Sequence, residues 1–137
     1  MNIEQISIEK FRSIKKISFS INDITAIVGE NNSGKTAVLR AINSVLNYSF
    51  EEEFFLNRRH QYAQKSNTHI TITFKNIPED VRLSPYVWDG RMTLRFSYIY
   101  SENKRKLFII KGTVKTPVDE SVLDIISEYI MYIYIIL

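Results

Sequence analysis

A chain of 137 residues, 45% hydrophobic and 24% charged, is long enough for one domain with its own core and too short for two ordinary ones. That composition excludes a disordered polymer, and the absence of cysteine excludes disulfides, thiolate metal centres and cysteine nucleophiles. A net charge of +3 suits a nucleic-acid partner and equally an ordinary solvated surface.

The N-terminus, MNIEQISIEKF, has charges and alternation where a signal peptide needs an apolar core. Ile6 and Ile8 alternate with Ser7 and Glu9, which predicts a strand over 3–9. Ile17, Phe19 and Ile21 alternate with Ser18 and Ser20, predicting a second over 16–21 before a turn at Asn22-Asp23. Residues 24–28 form a continuous apolar run, the mark of a strand buried on both faces. After the loop that follows, Val38, Leu39, Ile42, Val45 and Leu46 make the apolar stripe of a helix that stops near Asn47.

Residues 51–66, EEEFFLNRRHQYAQKS, fit either a short helix or a charged surface excursion. A strand is predicted at 69–75, with Ile70, Ile72 and Phe74 on one face. Two prolines and Asp89-Gly90 mark the next stretch as loop. Met92, Leu94, Phe96, Tyr98 and Tyr100 then alternate through a strand at 91–100, with 105–112 as its hairpin partner. Thr116-Pro117-Val118-Asp119 resembles a capping box and predicts a helix over 117–128. The apolar residues 129–137 read as a further buried strand, because nine residues fall well below the ~18–20 of a spanning helix. A cytoplasmic protein with no membrane partner is expected. The fold class expected is α/β: a strand–loop–helix core in a mixed sheet with a flanking antiparallel section.

The loop itself is G-E-N-N-S-G-K-T, residues 29–36, which fits the phosphate-binding pattern G-x-x-x-x-G-K-[ST] between a buried strand and an amphipathic helix. Backbone N–H groups of such a loop point at phosphate oxygens, and the helix N-terminus adds partial positive charge. Gly29 permits the sharp exit from the strand, and Gly34 the close approach of backbone to phosphate. Lys35 is placed to reach the β- and γ-phosphates and to stabilise charge during transfer, so it is the candidate catalytic residue. Thr36 presents a hydroxyl to Mg²⁺. The Asn103-Lys104 pair lacks the aspartate that a guanine-reading motif needs, which favours ATP.

The segment ISIEKFRSIKKISFSINDITAIVGENNSGKTAVLRAI resembles the N-terminus of the ABC-type ATPase heads of the SMC, RecF and OLD (overcoming-lysogenisation-defect) families. Asn32 makes the loop spelling most similar to the OLD family, many of whose members join the ATPase to a Toprim nuclease and several of which act in phage defence. The likeness is close over 3–46 and beyond that rests on the order of elements. It implies a P-loop NTPase fold and a single partial head over 1–137, with 1–46 holding the loop and 47–137 the antiparallel strands, helix and terminal strand. It implies that Arg12 approaches the nucleotide phosphates, where the residue alone reads as a surface arginine. It also implies that Asn31, Asn32, Ser33, Gly34, Lys35 and Thr36 cradle the triphosphate. Ala37 stands where a Ser or Thr is frequent, leaving its backbone N–H to serve.

The same families hydrolyse ATP with an apolar strand ending in Asp-Glu and with a serine-glycine-glycine signature, and neither stands in this sequence. Asp124 and Glu128 fall on a predicted helix, where capping or solvation explains them. The reading is therefore an ATP-binding N-terminal portion of a DNA-acting ATPase in repair or phage defence, as a fragment, split subunit or truncated product. Its partner would be the remaining half or a second head. The alternative is a non-catalytic interaction module that keeps the loop as a structural anion site. His60 and His69 lack the company of a metal site. Arg58-Arg59, Arg91, Arg95 and residues 104–106 could face DNA, or could simply line the solvent side of a sheet.

Overall fold

The computed structural model describes residues 1–12, 14–20, 33–57 and 65–130, with the backbone alone at 33–36 and 50. The expected strand at 24–28, the first half of the loop, Arg58-Arg59, His60 and the apolar end 131–137 lie outside the described residues.

Period-two alternation becomes one six-stranded sheet. The strands are β1 (Asn2–Phe11), β2 (Ile14–Ser20), β3 (Thr68–Lys75), β4 (Met92–Ile99), β5 (Lys104–Lys111) and β6 (Val114–Val118). Their spatial order is β2-β1-β3-β4-β5-β6. All five pairings are antiparallel, so the expected mixed sheet is not what the described strands form. The early strands are not a separate core either, because β1 pairs with β3 over Asn2–Lys75 to Glu9–His69.

One face of the sheet is apolar. Ile6, Ile8, Ile70, Ile72, Phe74, Met92, Leu94, Phe96 and Tyr98 are all fully buried on it, each contributing about 1.5–3 kcal/mol for an aliphatic or aromatic side chain. Helix α1 (Ser33–Leu46) covers this face with Val38, Ala41, Ile42 and Val45. A single 3-10 turn (Tyr48–Phe50) follows α1, and the ambiguous stretch, as far as it is described, opens with a short helix, α2 (Glu52–Asn57). A last helix, α3 (Ser121–Ser127), closes the core with Val122 and Ile126.

Three local expectations change. Ile17 shares the core face, opposite Ile8, yet is 39% exposed; it sits on β2, an edge of the described sheet, and of β2 only Phe19 is buried. Tyr100 leaves β4 for a 3-10 turn. Thr116 and Pro117 open no helix: they pair with Ile109 and Phe108 as part of β6. An edge strand tolerates proline because its outward side needs no ladder donor, and the α3 turn starts later, where the Asp119 carboxylate accepts from the Ser121 N–H at 2.9 Å and from its hydroxyl.

The loop after β3 is fastened to the end of α3 by Arg82. Its guanidinium donates to Asp80 at 2.6 Å and to Glu128 at 2.8 Å, and the Tyr129 hydroxyl donates to Asp80 at 2.7 Å. Hydrogen bonds from Arg82, then from Tyr129, hold the Asp80 carboxyl well below its usual range, and Arg82 lowers that of Glu128. Groups with depressed folded pKa stabilise above their unfolded values and lose that stabilisation as pH falls through the folded ones. The melting temperature should therefore exceed that of Arg82→Ala at neutral pH, and the gap should shrink progressively below about pH 4. A gap unchanged down to about pH 2 would show that it does not come from the charge of Asp80 and Glu128.

Candidate nucleotide site

Helix α1 opens at Ser33, so Gly34, Lys35 and Thr36 lie in its first turn. The first N–H groups of any helix have no partner within it, and they carry the positive end of the dipole. No acidic residue stands in that turn to compete with an anion. Ala37 is 4% exposed, packed inside, so the backbone is what it offers a ligand. Asn31 and Asn32 lie outside the described residues, and the side chains of 33–36 are likewise not described.

Arg12 comes from the other side of the primary sequence. Pairing of Phe11 with Ile14 places Arg12 in the tight turn between β1 and β2. Such loops favour positive φ, usually through Asn or Gly. Here Arg12 adopts φ 53°, a conformation costing an ordinary side chain about 1–2 kcal/mol. The strained backbone aims a guanidinium that lies 4.0 Å from the centroid of the Phe54 ring. Its Nη2 stands 3.5 Å from Glu51 Oε2. Burial lowers the Arg12 pKa, with the Glu51 charge opposing it in part and Arg40 adding to it, and a guanidinium remains a cation.

Glu51 was not legible as part of a site. It is 2% exposed, and its closer partner is Arg40 of α1, whose Nη1 donates to the two carboxylate oxygens at 3.1 and 3.4 Å. Two guanidinium groups around one carboxylate leave a local surplus of one positive charge, and the carboxylate keeps a partner even when Arg12 engages something else. Arg40 lies seven residues beyond Ser33, about 10 Å along the helix axis at 1.5 Å per residue. The hairpin arginine is thus tied to the helix that follows the loop. A carboxylate in the run EEEFF carries no spacing signal that separates it from its solvated neighbours.

The remaining candidates are dispersed. Glu128 is engaged by Arg82, and Asp124 lies on α3. The His69 Nδ1 shares a hydrogen bond with the Ser97 hydroxyl at 2.8 Å. Arg91 donates to Glu4 at 2.7 Å. Arg105 lies across from Tyr98 on the apolar face, where it stacks 4.2 Å from the Tyr48 ring and pairs with Glu120, whereas Arg95 and Lys106 are on the opposite face. The expected basic patch is therefore divided between the two faces of the sheet.

Comparison with known proteins matches residues 1–133 to the AAA ATPase domain family. The chain is 27% identical over 141 residues to the Old nuclease of Escherichia phage P2, covering 93% of this chain and 24% of that protein. It is 41% identical over 44 residues to the OLD nuclease of Thermus scotoductus, covering 32% of this chain and 8% of that protein. The chain thus spans about a quarter of the length of the phage relative.

Proposed function

From the premise that the chain belongs to the AAA ATPase domain family, we propose that it binds ATP with Mg²⁺ at the loop that opens α1 and serves a DNA-acting ATPase of the OLD kind. The observation that carries the reading is a 14-residue helix opening at Ser33, with the G-K-T of the loop in its first turn and no acid there. Bound Mg²⁺ would neutralise charge between phosphates. Lys35 would hold β- and γ-phosphate oxygens, Thr36 would present its hydroxyl to the metal, and the backbone from Asn31 to Ala37 would cradle the triphosphate. Arg12 would add a charged fork from the hairpin, steadied by Phe54 and Glu51. Two relatives are named as nucleases, and DNA is the partner we infer from them. Hydrolysis would wait for a water-polarising acid supplied from another segment or a second head: among the described residues, the Asp119-Glu120 pair follows β6, an exposed edge strand rather than a buried apolar one.

Calorimetric titration with ATP–Mg²⁺ tests this. Saturable binding is expected, weakened about tenfold or more in Arg12→Ala, because a charged hydrogen bond contributes about 1.5–3 kcal/mol. Turnover by the chain alone should be negligible. A folded protein that takes up no nucleotide would overturn the reading.

A further inference from the structure

The face of the sheet opposite α1 carries a cavity beside a break in β1. Ile8 and Phe11 are both fully buried, although residues three apart in a regular strand point to opposite faces. Lys10, at φ 53°, resets the alternation between them. That conformation is held by Thr68, itself buried, whose hydroxyl donates to the Lys10 carbonyl at 2.7 Å. Irregularities of this kind re-aim side chains beside functional sites. Here Glu9 and Lys10, though consecutive, line one cavity of about 420 Å³.

Lys65, His69 and Arg95 also line it. Among the described residues the lining thus holds Lys10, Lys65 and Arg95 with the Glu9 carboxylate, and Glu9 is itself opposite Lys16 in the β1–β2 register. Within the sheet Arg95 is flanked by Thr71 and Phe108, neither of which can neutralise it. Among the described residues, the Arg95 Nε is buried with no hydrogen-bond partner. A buried donor left unmet is costly, and native proteins rarely keep one without use. His69 registers the same field: burial first, then the charge of Arg95, lowers its pKa, with Glu9 opposing and Lys115 and Lys10 adding to the effect.

We propose that this cavity is an anion site that takes a phosphate group, on the face of the sheet opposite α1 and independent of the nucleotide loop. Arg95 supplies the charged fork and the unmet N–H, Lys10 and Lys65 flank it, and the His69 ring forms part of the wall. A phosphate reaches such a cavity either free or in a nucleic-acid backbone.

Two titrations, of inorganic phosphate followed by NMR and of a labelled DNA oligonucleotide followed by anisotropy, separate the sources. Both are run on wild type, Arg95→Gln and Lys65→Gln, with circular dichroism and melting as fold controls. Lys65 is exposed, so its substitution tests the site even if the Arg95 variant folds poorly. Each variant is expected to bind phosphate at least threefold more weakly. If DNA binding weakens with it, and the logarithmic salt dependence falls by about one per lost contact, the natural source is a nucleic-acid backbone. If phosphate binding weakens while DNA binding is absent or unchanged, the site serves the free anion. Folded variants that bind both probes as wild type does overturn the proposal.

Discussion

Lys35→Ala is expected to remove ATP–Mg²⁺ binding almost completely, with the fold intact. An ammonium that bonds two phosphate oxygens contributes about 1.5–3 kcal/mol per charged contact, so affinity should fall by at least tenfold and by more than a hundredfold if both contacts form. Folding should not suffer, because alanine is the best helix former and the position lies in the first turn of α1. Lys35→Arg should not restore affinity: the planar guanidinium is longer and wider than the compact ammonium for which a tight loop leaves room. Calorimetry on both variants, beside far-ultraviolet circular dichroism, decides the matter. Wild-type affinity in Lys35→Ala would mean that nucleotide, if it binds, binds elsewhere, and the loop would then be a structural turn of an interaction module.

The elements legible from sequence are those whose signal is local. Strands β3 and β4 write their core face at every second residue, β1 does so through Ile6 and Ile8, and α1 writes its stripe at helical spacing. The edges were less legible because two local signals competed there with a distant one. Thr116-Pro117-Val118-Asp119 satisfies the rules for opening a helix, but β5 offers a ladder to Thr116 and Pro117, and the ladder wins. Ile17 alternates correctly and still meets solvent, since exposure of an edge strand depends on what covers it rather than on its own pattern. The candidate site divides in the same way. The loop is a contiguous motif and can be read directly. Glu51 matters through a contact with a hairpin about forty positions away in the chain, Arg40 through Glu51, and Lys10 through a carbonyl held by Thr68. No spacing rule encodes such meetings.

Residues 51–66 show what tertiary contact adds, and Phe55 provides the test. A six-residue helix has no independent stability. What fixes α2 is Phe55, fully buried, with ring centroids of Tyr98 at 4.9 Å, Phe96 at 5.4 Å, Tyr48 at 5.8 Å and Phe11 at 5.9 Å. Those rings come from β4, from β1 and from the turn after α1, so one side chain joins three parts of the chain. Phe55→Ala should cost about 3–5 kcal/mol, from lost burial plus the cavity left among rings that cannot all collapse into it. For a domain of this size that is a fall in melting temperature of about 10–20 °C. Phe55→Leu, which keeps much of the volume, should cost less than half as much. Neighbouring Leu56 is 57% exposed, and its replacement by alanine should stay within about 0.5 kcal/mol. The loss in Phe55→Ala should also reach the nucleotide site, because Phe54, which packs against the Phe55 ring at 5.3 Å, is the platform beneath the Arg12 guanidinium. Chemical denaturation of the three variants separates the effects. If Phe55→Ala were no more costly than Leu56→Ala, α2 would be a surface excursion after all, and the seating of Arg12 would need another cause.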